Sequence, residues 1–108
     1  MSEAQKRALA SMLGICKKAG HAVCGTEQIC EALRKKEKSI YLAVCACDLS
    51  DNTKKRLNDK CTYYGAKIIF SELTAAELGT AVGKSGVTAA VGITDEGLCA
   101  AVLKKINL

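Results

Sequence analysis

The stretch SIYLAVCAC, residues 39–47, is a continuous apolar run that is rich in strand-forming residues. A strand with one face in water alternates apolar and polar residues, whereas a strand covered on both faces is apolar throughout. Residues 39–47 therefore predict a central strand. Because such a strand needs helices above and below it, we expect it to lie in the middle of an α/β fold.

Helical patterns alternate with short apolar segments on both sides of this run. The segments HAVC, KIIF and TAAVGI are predicted to be the other strands. This alternation predicts helices on both faces of a small, largely parallel sheet. With no proline, linker or repeat, we expect one domain over residues 1–108. The helices are predicted from the Ser2–Gln5 capping box to Gly20, from Gly25 to Lys36, within 48–65, from the Thr74–Glu77 capping box to Gly83, and from Asp95 onward.

The composition is typical of a soluble globular protein, with 49% hydrophobic and 25% charged residues. No apolar run approaches the roughly 20 residues that span a bilayer, and the start has no apolar export signal, so we expect a cytoplasmic protein without a membrane partner. The formal net charge is +5, and residues 1–38 carry eight Lys or Arg against four acids. This basic bias suits a polyanionic partner, although solvated lysines on helix faces would look the same.

The seven cysteines predict neither disulfides nor a metal site. Their number is odd, and an expected cytosolic location keeps thiols reduced. Cys45 and Cys47 would point to one face of a strand, but their spacing is not that of a redox motif or of a full set of zinc ligands, and His21 is distant in sequence. We expect every cysteine to serve as a small apolar core residue.

Two segments look like enzyme motifs and are not interpreted as such. GTAVGKS, residues 79–85, has three residues between its glycines where a phosphate-binding loop needs four, and it leaves a helix where that loop leaves a strand. In GITDEG, Asp95 and Glu96 are typical of a helix start, because acids there favour the helix dipole. Without a nucleophile and a second base, the sequence does not predict an enzyme.

The helix that starts at Gly25 has an apolar stripe of Ile29, Cys30 and Leu33. Glycine has no side chain to cap the first turn or to hinder a ligand, and the free N–H groups of that turn could meet a phosphate or a base edge. A surface helix with glycine as a poor cap is the alternative, and local physics alone favours it.

Taken together, AGHAVCGTEQICEALRKKEKSIYLAV, DNTKKRLNDKCTYYGAKI and ELGTAVGKSGVTAAVGITDEG resemble the kink-turn RNA-binding superfamily of ribosomal proteins, the L7Ae and L30e group. Within this group, the chain looks similar to the small bacterial YlxQ-like members. The resemblance runs in order from about Leu9 to Leu103. The Gly-Thr entry, the NTKK…CTYYG helix and the ELGTAVGK turn carry it.

The resemblance implies a three-layer α/β/α sandwich with a small four-stranded mixed sheet, no catalysis, no cofactor and no metal. It also implies binding of structured, kink-turn-like RNA, which we expect to be ribosomal, with ribosomal proteins as further candidate partners. The oligomeric state is left open, and a monomer is the simplest expectation. RNA of this kind is recognised where bases are displaced from the stack. The implied contacts are Gly25, Thr26, Glu27, Gln28, Glu31 and Lys35 in the glycine-led helix, and Lys84, Ser85, Gly86, Val87 and Thr88 in the loop after the ELG helix. We add Arg34 to the expected contacts, because its cation, like that of Lys35, can meet a phosphate.

Three positions of the glycine-led helix depart from the pattern of archaeal kink-turn binders. Those proteins carry Asn-Glu after the Gly-Thr and a lysine three positions later, where this chain has Glu27, Gln28 and Glu31. An anion at Glu31 would repel RNA. The alternative function is therefore a protein-interaction or ribosome-assembly module on the same scaffold, without kink-turn specificity.

Overall fold

The computed structural model describes residues 1–36 and 39–106. In this part of the chain, helices and strands follow each other in the predicted order. The helices are α1 (Glu3–Lys18), α2 (Thr26–Lys35), α3 (Asp51–Tyr64), α4 (Ala75–Ala81) and α5 (Glu96–Lys105), and the strands are β1 (Ala22–Cys24), β2 (Leu42–Cys45), β3 (Lys67–Phe70) and β4 (Ala90–Ile93).

The four strands form one mixed sheet in the order β1-β4-β2-β3. Strand β2 pairs with β3 in parallel, whereas β4 runs antiparallel to both β1 and β2. The mixed sheet implied by the family resemblance is confirmed, and the largely parallel sheet inferred from the alternation of elements is wrong. An apolar run shows that a strand is covered on both faces, but it carries no information about the direction of the neighbouring strand.

The helices cover both faces of the sheet, which confirms the three-layer α/β/α sandwich. One apolar core joins α1, α4 and α5 to Leu42 and Val44 of β2, and the other joins α2 and α3 to Ala43 and Cys45. The side chains of β2 alternate between the two cores because successive residues of a strand point to opposite faces. All four β2 residues are fully buried, as the continuous apolar run predicted.

Strand β2 is shorter than the run that predicted it, and this changes the role of one cysteine. The strand ends at Cys45, and Cys47 lies beyond it on the way to α3. Cys47 is exposed, whereas the other six cysteines are buried. The expectation that every cysteine packs in the core is therefore wrong for Cys47, because the two-residue periodicity that would turn it inward stops with the strand.

The predicted helix ends are confirmed by their hydrogen bonds. Both capping boxes form: the hydroxyl groups of Ser2 and Thr74 accept from the backbone amides of Gln5 and Glu77. In return, the side chains of Gln5 and Glu77 accept from the backbone amides of Ser2 and Thr74. Gly65 ends α3 in the left-handed conformation, with φ 75°. These local signals fix the helix boundaries, because each is satisfied within one turn of the chain.

Candidate nucleic-acid interface

No side chain caps the start of α2 with a hydrogen bond, although the side chain of Gln28 lies against Gly25. Gly25 is the N-cap residue, with φ 103° and ψ 151°, and no side chain caps the turn. The first hydrogen bond of the helix runs from the Ile29 N–H to the Gly25 carbonyl, so the three amides before Ile29 have no intrahelical acceptor. A Cβ at Gly25 would lie 2.4 Å from Oε1 of Gln28. Glycine adopts this positive φ without strain and leaves room for the Gln28 side chain beside it.

Each anion near this helix start is paired with a cation. Glu27 forms a bidentate ion pair with Arg56 of α3, in which Arg56 Nη2 lies 3.0 Å from Glu27 Oε2. The Arg56 guanidinium lowers the pKa of Glu27, chiefly through the hydrogen bond and secondly through its charge. The pairing holds the Glu27 carboxylate against α3 and neutralises its charge.

Glu31 is paired within its own helix. Its Oε1 lies 3.0 Å from Arg34 Nη2 and 3.2 Å from Lys35 Nζ. The hydrogen bond from Lys35 is the main cause of the lowered pKa of Glu31, followed by the charges of Lys35 and Arg34. These three side chains therefore form one local network with a net charge of +1.

Beside these ion pairs, α2 carries a shallow surface groove. It has a volume of about 310 Å³ and is lined by Glu27, Gln28, Glu31, Ala32 and Lys35. Its lining therefore contains four of the residues implied as RNA contacts. The groove is open, and four of its five lining residues end in a charged or amide group, which suits a charged polymer better than a small apolar ligand.

The second predicted element, the loop of residues 84–88, is folded against α4. The Lys84 N–H donates to the Gly79 carbonyl over 2.8 Å, and the Thr88 N–H donates to the Ala75 carbonyl over 2.9 Å. A Cβ at Gly79 would lie 1.9 Å from the Gly86 carbonyl oxygen. The glycine at 79 thus lets the backbone of the loop approach the helix closely.

Most of this loop faces solvent. Lys84, Ser85 and Gly86 are exposed, and Val87 is 72% exposed. An apolar side chain held this far out of the core can cover an unstacked base. Thr88 differs from the other four, because it is only 2% exposed and its hydroxyl has no hydrogen-bond partner in the part of the chain described. The structure therefore gives Thr88 a place under the loop rather than on its surface.

The sheet brings the two elements together. The Gly25 N–H donates to the Ala90 carbonyl over 2.9 Å, and Cys24 pairs with Val91. The end of β1 and the start of β4 consequently lie side by side, so that α2 begins where the loop ends. We call Gly25–Gln28, Glu31, Arg34, Lys35 and residues 84–87 the α2–loop surface.

Arg56 is a residue of this region that the sequence did not indicate. Only the tertiary contact with Glu27 brings it to the α2–loop surface. No local pattern could have found it, because the two residues are 29 positions apart. The available signal was indirect. Helices α2 and α3 precede and follow the buried strand β2 in the chain, and both pack on the same face of the sheet.

The structure places the two segments that look like enzyme motifs as follows. GTAVGKS runs from the end of α4 into the loop before β4, an order opposite to that of a phosphate-binding loop. Asp95 caps α5 by accepting from the Leu98 N–H over 2.8 Å.

Over residues 1–36 and 39–106, no three His, Cys, Asp or Glu side chains gather as metal ligands. No helix in those residues is both long and apolar enough to cross a membrane.

The fold, with the start of α2 beside the loop before β4, defines a class of small three-layer α/β/α proteins. Comparison with known proteins identifies the family. The model of the Ribosomal protein L7Ae/L30e/S12e/Gadd45 family matches residues 7–103. The chain belongs to this family. The match extends over all nine elements except the first residues of α1 and the last of α5.

Two curated relatives are both RNA-binding proteins named YlxQ. The one from Enterococcus faecium is 31% identical over 98 residues, which cover 90% of this chain and 89% of the relative. The one from Bacillus subtilis (strain 168) is 31% identical over 87 residues, which cover 80% of this chain and 82% of the relative. This confirms the resemblance to YlxQ-like proteins.

Solved structures share the fold. A protein of unknown function from Bacillus halodurans C superimposes with a TM-score of 0.77 at 27% identity, over 93% of this chain and 97% of the other. A 15.5kD RNA binding protein from Giardia lamblia superimposes with a TM-score of 0.73 over 99% of this chain and 88% of the other. At 18% identity, the second match concerns the fold alone.

Proposed function

We propose that this protein binds structured RNA through the α2–loop surface. The observation that carries the proposal is the juxtaposition of the uncapped α2 start with the exposed loop, through the hydrogen bond between Gly25 and Ala90. Membership of the family and similarity to two proteins named as RNA-binding support it.

The surface has the chemistry that structured RNA requires. Side chains cannot enter the deep major groove of an A-form helix, so proteins contact RNA where bases leave the stack. The free amides of the first turn of α2 can meet a base edge or a phosphate, Val87 can cover a displaced base, and Lys84 can meet the backbone. In this arrangement one protein surface contacts both sides of a distorted RNA segment.

The finer part of the proposal is that the RNA contains a kink-turn and belongs to the ribosome. The family description includes ribosomal proteins, and a kink-turn displays sheared base pairs and displaced bases that fit a helix start beside a small loop. Glu27 and Glu31, which depart from the pattern of archaeal binders, have their charges balanced by Arg56, Arg34 and Lys35. Their presence is therefore compatible with an RNA partner.

The test is a titration of a fluorescent kink-turn hairpin and of a straight RNA duplex of the same length, at about 50 and 200 mM salt. We expect the hairpin to bind at least about tenfold more tightly and both affinities to fall with salt.

Lys84→Glu should weaken binding of both RNAs, because phosphates are common to them. Val87→Ser should weaken binding of the hairpin alone, several-fold, because only the hairpin offers a displaced base.

Matched control variants come from the last turns of α1, which leads into the start of β1 at the opposite end of the sheet. Lys18→Glu repeats the charge reversal, and Ile15→Ser removes an apolar side chain that is 48% exposed. Neither should change the preference for the hairpin. Equal weakening by all four variants would refute the surface, and binding of ribosomal proteins without any RNA affinity would favour the protein-interaction alternative.

A further inference from the structure

Arg56 and Glu27 form a charge pair that connects α3 to the α2–loop surface. Glu27 lines the groove beside the start of α2, and its carboxylate receives both terminal nitrogens of Arg56. Such two-point pairs hold a guanidinium in one orientation, which a single hydrogen bond does not do. The contact therefore fixes the guanidinium of Arg56 at the edge of this groove.

The guanidinium still has donors to offer. Arginine carries five N–H bonds, and the carboxylate of Glu27 uses one on each terminal nitrogen. The N–H of Nε and one on each terminal nitrogen remain, and Arg56 makes no other hydrogen bond among the described residues. The side chain of Arg56 is 45% exposed, so these donors can reach a ligand without displacing Glu27.

We propose that Arg56 binds an RNA phosphate at the edge of the α2–loop surface, and that Glu27 is a positioning residue that orients it. This inference rests on the proposed function. It adds a contact on α3 to those already proposed on α2 and on the loop before β4. An exposed surface ion pair contributes little to folding stability. A role in orienting a phosphate-binding group explains why the acid stands at the open end of α2, where an anion would otherwise repel RNA.

The neighbouring pair on α3 provides a matched control. Lys55 lies next to Arg56 and pairs with Asp59 over 3.1 Å, but it is turned by about 100° around the helix. Lys55→Gln removes the same charge as Arg56→Gln, from the same helix and from a similar ion pair. Asp59→Asn is likewise the control for Glu27→Gln.

The experiment measures the affinity of the full-length variants for the kink-turn hairpin as a function of salt. We expect Arg56→Gln to weaken binding about tenfold and to reduce the slope of log affinity against log salt by about one, the loss of one phosphate contact. Lys55→Gln and Asp59→Asn should leave both quantities near those of the original protein. Arg56→Lys should keep the salt slope but weaken binding. Lysine has a single ammonium nitrogen, so it cannot form the two-point contact with Glu27 and also donate to a phosphate from a fixed position.

The double variant Glu27→Gln with Arg56→Gln separates the proposal from simple charge neutralisation. If Arg56 contacts a phosphate, the double variant stays weak and keeps the reduced slope. If Arg56 only neutralises Glu27, the double variant returns to the original affinity, which would overturn the proposal. Unchanged binding by Arg56→Gln, in a protein whose binding still depends on Lys84, would also overturn it and leave the proposed function intact. Thermal melting of each variant checks that the fold is retained.

Discussion

At the scale of single residues, Glu31 shows how a neighbouring charge changes the meaning of a side chain. In the sequence it is an anion on a surface that is expected to meet RNA. In the structure it bonds to Arg34 and Lys35 on its own helix and is not free to act as an isolated charge. A helix brings residues three and four positions apart onto one face, so these contacts follow from the spacing.

Glu31→Lys should strengthen binding of the kink-turn hairpin at low salt. The change removes an anion, adds a cation and releases Arg34 and Lys35, so the salt dependence should also become steeper. Titrations at several salt concentrations measure both effects. Glu96→Lys makes the same charge change at the start of α5, at the far end of β4, and should give a much smaller gain. An equal gain from both variants would mean that net charge alone attracts the RNA.

At the scale of elements, the close contact between α4 and the following loop determines where the loop lies. Gly79 faces the carbonyl of Gly86 at a distance that leaves no room for a side chain. Hydrogen bonds from the amides of Lys84 and Thr88 to α4 close the loop on both sides of this contact. The loop is therefore held by backbone groups, and its exposed side chains remain available to a ligand.

Gly79→Ala should displace the loop, because the new Cβ would meet a backbone oxygen that cannot rotate away. We expect a loss of about 1–3 kcal/mol in the free energy of unfolding and weaker binding of the kink-turn hairpin. Gly86→Ala is the control, since a Cβ at Gly86 meets nothing within 4 Å; its stability should change by less than about 1 kcal/mol. Urea unfolding and the RNA titration measure the two effects. If Gly79→Ala were as stable and as tight-binding as Gly86→Ala, the contact would not hold the loop.

At the scale of the whole molecule, two buried thiols make stability depend on alkaline pH. Cys45 lies in the core between the sheet and helices α2 and α3, together with Cys61. Burial raises the pKa of Cys45 from 9.0 to about 12 and that of Cys61 to about 11. In the unfolded chain both thiols ionise at the ordinary value, so alkaline pH favours the unfolded state.

The free energy of unfolding should therefore be constant with respect to these thiols below pH 9.0 and fall as the pH rises above it. The slope for each thiol is at most about 1.4 kcal/mol per pH unit, until the pKa of the folded state is reached. Urea unfolding at a series of pH values measures it. In the Cys45→Ala variant, the free energy of unfolding should fall less steeply with rising pH. This holds whatever the stability of the variant at neutral pH. The same decline in the variant would show that Cys45 does not contribute.

Much of the fold and part of the candidate site could be predicted from the sequence. The apolar run at 39–47 predicted a doubly covered strand, and β2 is buried on both faces. The capping boxes at Ser2 and Thr74 predicted helix starts that the hydrogen bonds confirm. The site residues came from the family resemblance, and their contact with RNA stays a prediction. The structure shows that the two segments lie together, and that Thr88 is buried.

The sequence by itself determined the order of the helices and strands, the helix starts at the capping boxes of Ser2 and Thr74, and the burial of β2 on both faces. Caps and periodic apolar faces depend on neighbours within one or two turns, so the local sequence contains them. Only the tertiary structure decided that β4 runs antiparallel to its neighbours, that Cys47 faces solvent, and that Arg56 reaches Glu27 from 29 positions away. These features arise where distant segments meet, and the contact between such segments depends on the whole packed sheet rather than on the residues beside each position.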